Sequence, residues 1–508
     1  MNTEEMLAFA TAVEEKYPVD KWQIGSIHIW PYVRVKLDFS CRDNLAVVAA
    51  EKNKNKACRW REYGARVGKV LADKSRLLMK DKLHQQSIVP ADVVFLGDTG
   101  DRNVCMPDGT LLDHNLDPIR MKLEERGLTA FSFEELGKDN ARLPRWCKTY
   151  TIDKIVLQAQ IHNKLSRRHY TAAECNLAGY DEFLDDLEKR GLDKEKFSAK
   201  KISKTAMFIN DLAQRFYRIL KEIKPKIVIL QCWYSPSKMA LSLAAHKLDI
   251  PVLEIQHGVA AGSKNHPSYY QWIKMPSNGF ELMPDYMWVW DKYDYAEMEP
   301  WAKNSMRPFI GGHPMNLLWS DQQSELSKYY NALYDREFGR DKKAILVTLQ
   351  WGNSYPQWFI DFINGHDEFN WLIRLHPVVD EYELCFIRKL APKDNIKIDK
   401  VSKFPLEILL ENISLHVTMS SSVVLDAEPY GKHSIVMNGD GKNKYSRQID
   451  SGIVCYGENQ EDFTQYIKEL MTNELNETNI NIHNSYEEGK KAIEMILDII
   501  DRAKPYWE

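Results

Sequence analysis

A short apolar run that ends in a polar corner constrains the fold of this chain more than any other feature. The run occupies residues 251–257 and is closed by Gly258, and an Ala- and Leu-rich helical segment at 237–248 precedes it. A run of this length before a glycine is typical of a buried parallel strand. A second such run at 225–231 lies just before the helical segment. The sequence therefore predicts a strand–helix–strand unit, which implies parallel pairing and an α/β fold.

Similar apolar runs recur on both sides of this unit. On the amino-terminal side and just beyond the unit they lie at 90–98, 286–290 and 308–312, and a second set lies at 344–350, 371–375, 396–398, 415–418 and 434–437. A chain of 508 residues is too long for one hydrophobic core, so two α/β domains are expected.

These runs also set the predicted domain boundaries. A helical, basic amino-terminal extension is expected at 1–88, and a linker is expected at 321–342. The first Rossmann-like domain is expected at 89–320, with a helical insertion at about 140–222. The second is expected at 343–490, followed by a carboxyl-terminal helix at 491–508.

Charge and cysteine content exclude several classes of protein. The 68 Lys and Arg residues nearly balance the 72 Asp and Glu residues, and the resulting net charge of -4 argues against a protein built around a nucleic-acid backbone. The chain has 8 cysteines. They form no C-x-x-C pair, which favours reduced thiols over disulfides or a zinc site.

The amino-terminal segment bears on location. It begins with acidic residues and contains no long apolar run, so a cytosolic protein is expected. The stretch between Lys52 and Lys82 is strongly basic with interleaved apolar residues. It is interpreted either as a solvated helix face or as a segment attracted to an anionic membrane surface or acceptor chain.

The polar residues at the end of the 251–257 run are the first candidate site. Ligands of open α/β sheets bind at the carboxyl ends of the strands, where Glu254 and His257 are expected. A neutral histidine accepts a proton, so His257 is a candidate general base. The alternative is a histidine that only hydrogen-bonds a neighbouring loop.

A second candidate site follows the run at 371–375. Arg374 lies two residues before His376 and Pro377, so the arginine and histidine side chains are expected on the same side of a strand, facing one anion. The alternative for Arg374 is an ion pair with an acidic residue at the sheet margin. About forty residues later, Ser420, Ser421 and Ser422 lie between a predicted strand and a predicted helix. Their hydroxyls and backbone N–H groups suit a phosphate, and the alternative is helix capping by one serine.

Two tandem α/β domains, the His257-Gly258 corner, the Arg-x-His-Pro motif and the serine cluster together resemble the GT-B glycosyltransferases of bacterial capsule and surface polysaccharide biosynthesis. Relatives within this resemblance are the polysialyltransferases, the Kdo transferases and the teichoic acid glycerophosphotransferases. The resemblance implies an α/β, GT-B-like fold in which two Rossmann-like domains face a cleft, with the helical extension and the helical insertion outside it.

The resemblance also implies roles for individual residues. His257 resembles the acceptor-activating base, with Asp98 and Asp101 as rivals because an acidic loop serves this role in polysialyltransferases; Glu254 is a further rival from its position on the strand. The residues implied in binding the donor nucleotide are Arg374, His376, Pro377, Ser420, Ser421, Ser422 and Glu428, the last at the ribose.

The implied function is transfer of a sugar from a nucleotide-activated donor, such as a CMP-linked Kdo or sialic acid, to a growing capsular or lipopolysaccharide chain. No Asp-x-Asp motif lies near either site, so neither a metal ion nor a cofactor is expected. The alternatives are a CDP-alcohol polyol-phosphate transferase of the teichoic-acid type and a non-catalytic polysaccharide-binding or assembly subunit. The implied partners are the nucleotide-sugar donor and an oligosaccharide or polysaccharide acceptor, and nucleic acid is not among them. A lipid-linked acceptor and peripheral association with the cytoplasmic face of the inner membrane are further expectations.

Overall fold

The fold was analysed in a computed structural model of the chain. It describes residues 3–50, 87–136, 144–165, 170, 174–257, 271–302, 305–319, 325–376, 379–472, 482–505 and 507. The chain divides into two compact domains. The N-domain comprises Met1–Arg102, Leu112–Gly312 and Lys491–Glu508, and the C-domain comprises Asn103–Leu111 and His313–Lys490.

Strands β1 to β12 precede residue 313. They are β1 (Gln23–Ile24), β2 (Ile27–His28), β3 (Val93–Asp98), β4 (Arg102–Cys105), β5 (Leu111–Asp113), β6 (Ala130–Glu135), β7 (Tyr150–Thr151), β8 (Cys175–Asn176), β9 (Ile227–Gln231), β10 (Val252–Ile255), β11 (Tyr286–Val289) and β12 (Arg307–Ile310). The helices of the same region are α1 (Thr3–Lys16), α2 (Trp30–Ala50), α3 (Asp117–Glu125), α4 (Asp153–Leu165), α5 (Tyr180–Lys189), α6 (Ala199–Ile223), α7 (Pro236–His246) and α8 (Lys292–Met298).

The N-domain is built on a parallel sheet with the order β7-β6-β3-β9-β10-β11-β12. The strand order reverses between β3 and β9, which makes this pair the topological switch point of the sheet. Leu96 is paired with Leu230, and Ile255 with Gln231. The carboxyl ends of β3, β9 and β10 therefore lie side by side.

Apolar faces on the helices hold this sheet between two layers. Every residue of β9 and β10 is buried, as expected for strands covered on both faces. Helix α6 buries a stripe at helical spacing that includes Ile202, Ile209 and Phe216. Helix α7 begins where Ser235 caps it by accepting a hydrogen bond from the backbone N–H of Lys238 at 3.3 Å.

The amino-terminal residues differ from the predicted 1–88 extension, because residues 3–40 pack into the N-domain core. Arg34 and Glu14 are both fully buried, and the guanidinium Nη1 donates to Glu14 Oε1 at 2.8 Å. The same guanidinium lies 4.2 Å from the centre of the Trp272 ring. A buried arginine needs both a carboxylate and a flat apolar surface, so this helical segment is fixed to the domain. The basic stretch between Lys52 and Lys82, with its two interpretations, lies outside the described residues.

The remaining elements begin at residue 316. The helices are α9 (Asn316–Trp319), α10 (Glu325–Phe338), α11 (Gln357–Gly365), α12 (Glu381–Lys389), α13 (Leu406–Asn412), α14 (Val423–Ala427), α15 (Gly439–Lys444), α16 (Ser446–Asp450), α17 (Gln460–Thr472) and α18 (Ile482–Arg502). The strands are β13 (Lys343–Thr348), β14 (Phe369–Arg374), β15 (Ile396–Lys397), β16 (Leu415–Thr418), β17 (Ser434–Val436) and β18 (Val454–Tyr456).

The C-domain contains a second parallel sheet with the order β15-β14-β13-β16-β17-β18. Its switch point lies between β13 and β16, where Thr348 is paired with Arg374 on one side and Thr418 on the other. The order is that of a Rossmann fold. The prediction of an α/β protein with two Rossmann-like domains is confirmed by these two sheets.

Two segments that were predicted outside the domains belong to them. The predicted linker at 321–342 contains α10, whose Tyr330 and Phe338 rings lie 5.7 and 5.1 Å from the ring of Phe404 in the C-domain. Aromatic residues on one face of a polar helix pack it onto a core instead of leaving it as a connection. The end of α18 groups with the N-domain, where Glu494 pairs with Arg126.

The helices were also compared with the length of a membrane span. Within the described part of the chain, none combines the length and the apolar character that crossing a membrane requires.

Candidate functional site

The switch point of the N-domain sheet carries an ion pair. Asp98 is the last residue of β3, and Lys238 lies in the first turn of α7, which follows β9. The ammonium of Lys238 is almost fully buried and donates to Asp98 Oδ2. Burial opposes the charge on Lys238, but the nearby Asp98 carboxylate and Cys232 raise its pKa above the ordinary value. A stable positive charge therefore lies beside the carboxyl end of β3.

A second carboxylate, Asp101, lies in the turn that follows β3. Its Oδ2 accepts a hydrogen bond from the Gln231 side-chain amide at the end of β9. Its Oδ1 lies 4.0 Å from Nε2 of His257, whose side chain is 43% exposed against 18% for Asp101. The chain thus brings together Asp98, Asp101 and His257, three residues that sequence reasoning selected from runs more than 150 positions apart.

Cys232 belongs to the same cluster and was missed. It follows β9 directly and has a left-handed backbone φ of 54°. Burial would raise the pKa of Cys232, yet His257 and Lys238 bring it below the ordinary value of a thiol. The same interaction raises the pKa of His257 against the effect of burial. The sequence predicts the strand at 225–231. The position of Cys232 directly after this strand is the signal that could have identified it as a candidate site residue.

Glu254 occupies a different position from the other candidates. It lies inside β10, fully buried, and its Oε1 accepts the backbone N–H of Trp233 at 3.2 Å. This contact fixes the chain just after Cys232 and leaves the carboxylate in the sheet. Gly258, the other half of the predicted corner, lies outside the described residues.

A buried charge network supports the turn that bears Asp101. The next residue, Arg102, donates from Nε to Glu134 and from Nη1 to Asp117 Oδ2 at 2.8 Å. Glu134 also pairs with Arg145. Asp117, Glu134 and the two arginines are all buried. This network of buried ion pairs therefore fixes the position of the turn that bears Asp101.

The switch point of the C-domain sheet carries a polar cluster of another kind. Gln350 follows β13 by two residues and Ser420 follows β16 by two. The Ser420 hydroxyl and backbone N–H both donate to Gln350 Oε1, at 2.9 and 3.1 Å. Lys444 donates to the Ser420 carbonyl at 3.2 Å, and Tyr445 to the Ser421 carbonyl at 2.7 Å. The serine turn is thus fixed on two sides, by Gln350 and by Lys444 with Tyr445.

The three serines are not equivalent. Ser420 is buried and bonded to Gln350, whereas Ser421 and Ser422 are half-buried. The Ser421 hydroxyl accepts the backbone N–H of Val423 at 3.4 Å, so it caps the short helix α14. Ser422 stands at the N-cap position of α14 and makes no capping hydrogen bond.

The arginine of the Arg-x-His-Pro motif is already bonded within the domain. Arg374 Nη1 donates to the carbonyls of Val401 and Phe404 at 2.9 and 2.7 Å. Burial lowers its pKa, although Glu407 and Asp426 act in the opposite direction. His376 follows β14 by two residues, as Gln350 follows β13, so the two lie at the same sheet edge.

Two further residues, Pro377 and Glu428, were predicted to bind the donor nucleotide. Pro377 is outside the described residues. Glu428 opens a 3-10 turn after α14, where its Oε2 accepts from the Gln448 amide at 3.5 Å.

Among the described residues, no three His, Cys, Asp or Glu side chains lie close enough to hold a metal ion. A cavity of about 860 Å³ in the N-domain has His246, Glu281, Asp285 and Arg307 in its wall. It lies at the amino ends of β10 to β12, the opposite edge of the sheet from Asp101.

No family model matches the sequence, and no curated protein matches it. Solved structures that it resembles include UDP-GlcNAc 2-epimerase from Neisseria meningitidis bound to UDP-GlcNAc, with 14% identity, 80% of this chain and 99% of that chain covered, and a TM-score of 0.49. They also include the calicheamicin glycosyltransferase CalG4, with 11% identity, coverages of 81% and 99%, and a TM-score of 0.45. A variant of the wall teichoic acid polymerase TagF soaked with CDPG has 13% identity, coverages of 88% and 98%, and a TM-score of 0.45. These scores lie below 0.5, so the assignment of two Rossmann-like domains rests on the two sheets described above.

Proposed function

We propose that this chain is a GT-B-type glycosyltransferase that transfers a sugar from a nucleotide-activated donor to a growing capsular or lipopolysaccharide chain. The observation that carries the proposal is a polar cluster at the switch point of each of two Rossmann-like sheets. The N-domain cluster has carboxylates and an imidazole, and the C-domain cluster has hydroxyls and a lysine. Switch points are where such sheets bind ligands, so two of them suit a reaction between two substrates.

The donor nucleotide is assigned to the C-domain. A nucleotide leaves a sugar as a phosphate anion, and hydrogen-bond donors and cations at that point lower the barrier. His376, Ser421 and Ser422 supply the hydroxyl and imidazole groups in this proposal, and Lys444 adds positive charge. Arg374 contributes its charge from behind the loop, because its guanidinium is bonded to two main-chain carbonyls. Glu428 is assigned to the ribose.

The acceptor is assigned to the N-domain, where a hydroxyl must lose a proton. His257 holds its proton at neutral pH because Cys232 raises its pKa, and a protonated imidazole cannot act as a base. Asp98 is paired with Lys238, and Glu254 is buried in the sheet. Asp101 is therefore the preferred base in this proposal, with His257 as the adjacent cation.

The donor class and the acceptor are the finer parts of the proposal. An acidic CMP-linked sugar such as Kdo or sialic acid suits the cations assigned to the two sites, Lys444 and His257. A lipid-linked acceptor chain, with peripheral attachment to the cytoplasmic face of the inner membrane, completes the proposed role. The protein cations are expected to take the place of a metal ion at the leaving phosphate, so activity is expected to persist in EDTA.

The first experiment is a thermal-shift panel of the full chain with CMP, CDP, UDP, GDP and dTDP. A nucleotide that binds only the folded protein stabilises it by about 2.7 kcal/mol at one hundred times its Kd. We expect CMP to raise the melting temperature most. A panel in which no nucleotide raises it would contradict the assignment of a nucleotide site to the C-domain.

The second experiment measures transfer from the nucleotide sugar so identified. Asp101→Asn is expected to lower turnover by about 10²–10⁴-fold with donor affinity unchanged, because only the proton acceptor is lost. Glu254→Gln, a change of the same type inside the sheet, tests whether losing any nearby carboxylate has this effect. Unchanged turnover in Asp101→Asn would remove the base role from this residue. Transfer of a polyol phosphate from a CDP-alcohol, or nucleotide binding without any transfer, would favour the two alternative functions.

A further inference from the structure

A cavity in the N-domain has no part in the proposed sugar transfer. It lies at the amino ends of β10 to β12, the opposite edge of the sheet from Asp101. Its volume is about 860 Å³, and small-molecule sites in proteins occupy about 300–1,000 Å³. The amino ends of the strands, the loop at 276–281 and the end of α18 form most of its wall, and all of them belong to the N-domain. The cavity is therefore large enough for a ligand and is formed within one domain.

Two carboxylates in the wall are engaged by histidines. Glu281 Oε1 accepts the backbone N–H of His28 at 2.5 Å, and Glu281 Oε2 lies 2.7 Å from Nδ1 of the same residue. Asp285 Oδ2 lies 3.0 Å from Nε2 of His246 and accepts the backbone N–H of Val252 at 2.8 Å. Burial opposes the charge on His246, but Asp285 raises its pKa, so the imidazolium is favoured beside this carboxylate. Both acidic side chains are thus bonded inside the wall, and neither is left to attract a cation.

Arg307, the first residue of β12, is an exposed cation in the wall. It is paired in register with Tyr286 of β11, and its guanidinium carbon lies 4.2 Å from the centre of the Tyr286 ring. Among the described residues, Arg307 forms no ion pair. A guanidinium that lies over a ring keeps the N–H groups at the edge of its plane for a ligand, and their spacing matches the two oxygens of a carboxylate or a phosphate.

The other charged residues in the wall leave a positive excess. Arg502 and Lys504 are exposed at or just beyond the end of α18, and Asp249 is an exposed carboxylate before β10. Arg502 is paired with Asp498 at 2.7 Å, so the charges that remain are Arg307 and Lys504 against Asp249. An oxyanion is therefore the charged group that this wall attracts.

We propose that this cavity binds an acidic sugar, meaning a saccharide that carries a carboxylate or a phosphate. The oxyanion pairs with Arg307, which offers it two parallel N–H groups. Sugar hydroxyls both donate and accept hydrogen bonds, and the Asp249 carboxylate and the Asn278 amide in the wall supply both kinds of partner. The proposal does not rest on sugar transfer, because a ligand at this edge of the sheet is remote from Asp101 and is detected by binding alone.

The first test is hydrogen exchange of the full chain with free sialic acid, glucose 6-phosphate or glucose. The first probe carries a carboxylate, the second a phosphate and the third neither, so they separate the two kinds of oxyanion and the contribution of charge. We expect at least one acidic probe to slow exchange at 276–281 and at the end of α18, because a bound ligand suppresses local opening, and glucose to leave exchange unchanged. No slowing by either acidic probe, equal slowing by glucose, or slowing confined to the residues around Asp101 would each overturn the proposal.

The second test is the affinity of the same probes for Arg307→Met, measured by calorimetry. Methionine keeps an apolar contact with Tyr286 and removes the N–H groups. The acidic probe that binds should therefore lose about 10- to 150-fold in affinity, the value of one charge-assisted hydrogen bond. Arg307→Lys keeps the charge without the planar fork and should give an intermediate loss.

Arg190→Met is the matched control, because this exposed arginine of the N-domain also lies over an aromatic ring, that of Phe9 at 4.5 Å, and is not in the wall of the cavity. Its affinity for the probes should equal that of the wild type. Melting temperatures establish that the variants are folded. Unchanged affinity in folded Arg307→Met, or an equal loss in Arg190→Met, would contradict the assignment, and the wild-type exchange map decides the proposal even if Arg307→Met does not fold.

Discussion

Replacing Arg102 by methionine is expected to destabilise the N-domain by about 3–5 kcal/mol. Arg102 is only 3% exposed, and its guanidinium joins β6 to α3 by donating to Glu134 and Asp117. Methionine keeps most of the apolar stem but removes the charge. Glu134 keeps its ion pair with Arg145, whereas Asp117 loses the cation Arg102 and remains a buried carboxylate. Breaking a buried ion pair in this way costs about 3–5 kcal/mol.

The assay is hydrogen exchange of the β3 and β6 backbone amides, because these report on the N-domain alone in a chain of two domains. Arg126→Met is the matched control. This arginine pairs with Glu494 on the surface, where side-chain exposures exceed half, so its loss should cost no more than about 1 kcal/mol.

A second variant separates the loss of the pair from the loss of packing. Adding Asp117→Asn to Arg102→Met removes the orphaned charge, so the double variant should be no less stable than Arg102→Met alone. The reasoning is refuted if Arg102→Met costs under about 1 kcal/mol, or if Asp117→Asn makes the double variant much less stable. Either result would mean that the turn bearing Asp101 is held by something other than this network.

Three further predictions concern the C-domain. The double change Ser421→Ala and Ser422→Ala should weaken nucleotide binding about 10- to 150-fold by calorimetry, the value of one charge-assisted hydrogen bond; unchanged affinity would remove both from the donor site. Gly441→Ala should destabilise the domain by about 1–3 kcal/mol in urea, because the new methyl group would lie 2.4 Å from the Met419 carbonyl, whereas Gly439→Ala in the same helix meets no atom within 4 Å and serves as the control. Burial lowers the pKa of His416 in the folded protein to about 3, whereas the same side chain in the unfolded chain titrates near pH 6.5. As the pH falls below about 6.5 the unfolded chain therefore binds a proton that the folded protein does not, and the folded protein loses stability. Unfolding free energies at pH 7 and pH 5 should differ by about 2 kcal/mol from this residue, and His416→Gln should remove that part of the difference.

The strands that sequence reasoning found and those it missed differ in their polar content. Strands such as β9 and β13 contain four consecutive apolar residues, Ile227–Leu230 and Ala344–Val347, and were recognised. Strand β6 was missed because it contains Ser132, Glu134 and Glu135, which read as a surface segment. Glu134 is buried only because Arg102 and Arg145 neutralise it, and neither partner can be inferred from the local sequence. Ion pairs with residues distant in sequence thus allow Glu134 to lie in a buried strand, and hydrophobic periodicity alone does not predict this strand.

The candidate site was predictable to the extent that it follows strand ends. Asp98 ends the run at 90–98, Asp101 lies three residues beyond it and His257 ends the run at 251–257, and the structure brings the three together. Cys232 and Lys238 come after the apolar run of β9 and satisfy the same rule, so applying it to every strand would have identified them. The left-handed backbone at Cys232 has no such signal in the sequence.

The two switch points share one device, a glutamine that spans the gap between the first and fourth strands of the sheet. In the N-domain the Gln231 amide donates to Asp101, and in the C-domain Gln350 accepts from Ser420. At a switch point the connections on the two sides run to opposite faces of the sheet, so nothing in the backbone closes the crevice between them. A glutamine carries both a donor and an acceptor and is long enough to reach the neighbouring loop. In each sheet the amide fixes one residue at the switch point, Asp101 in the N-domain and Ser420 in the C-domain. The same side chain thus holds a carboxylate in place at one switch point and a hydroxyl at the other.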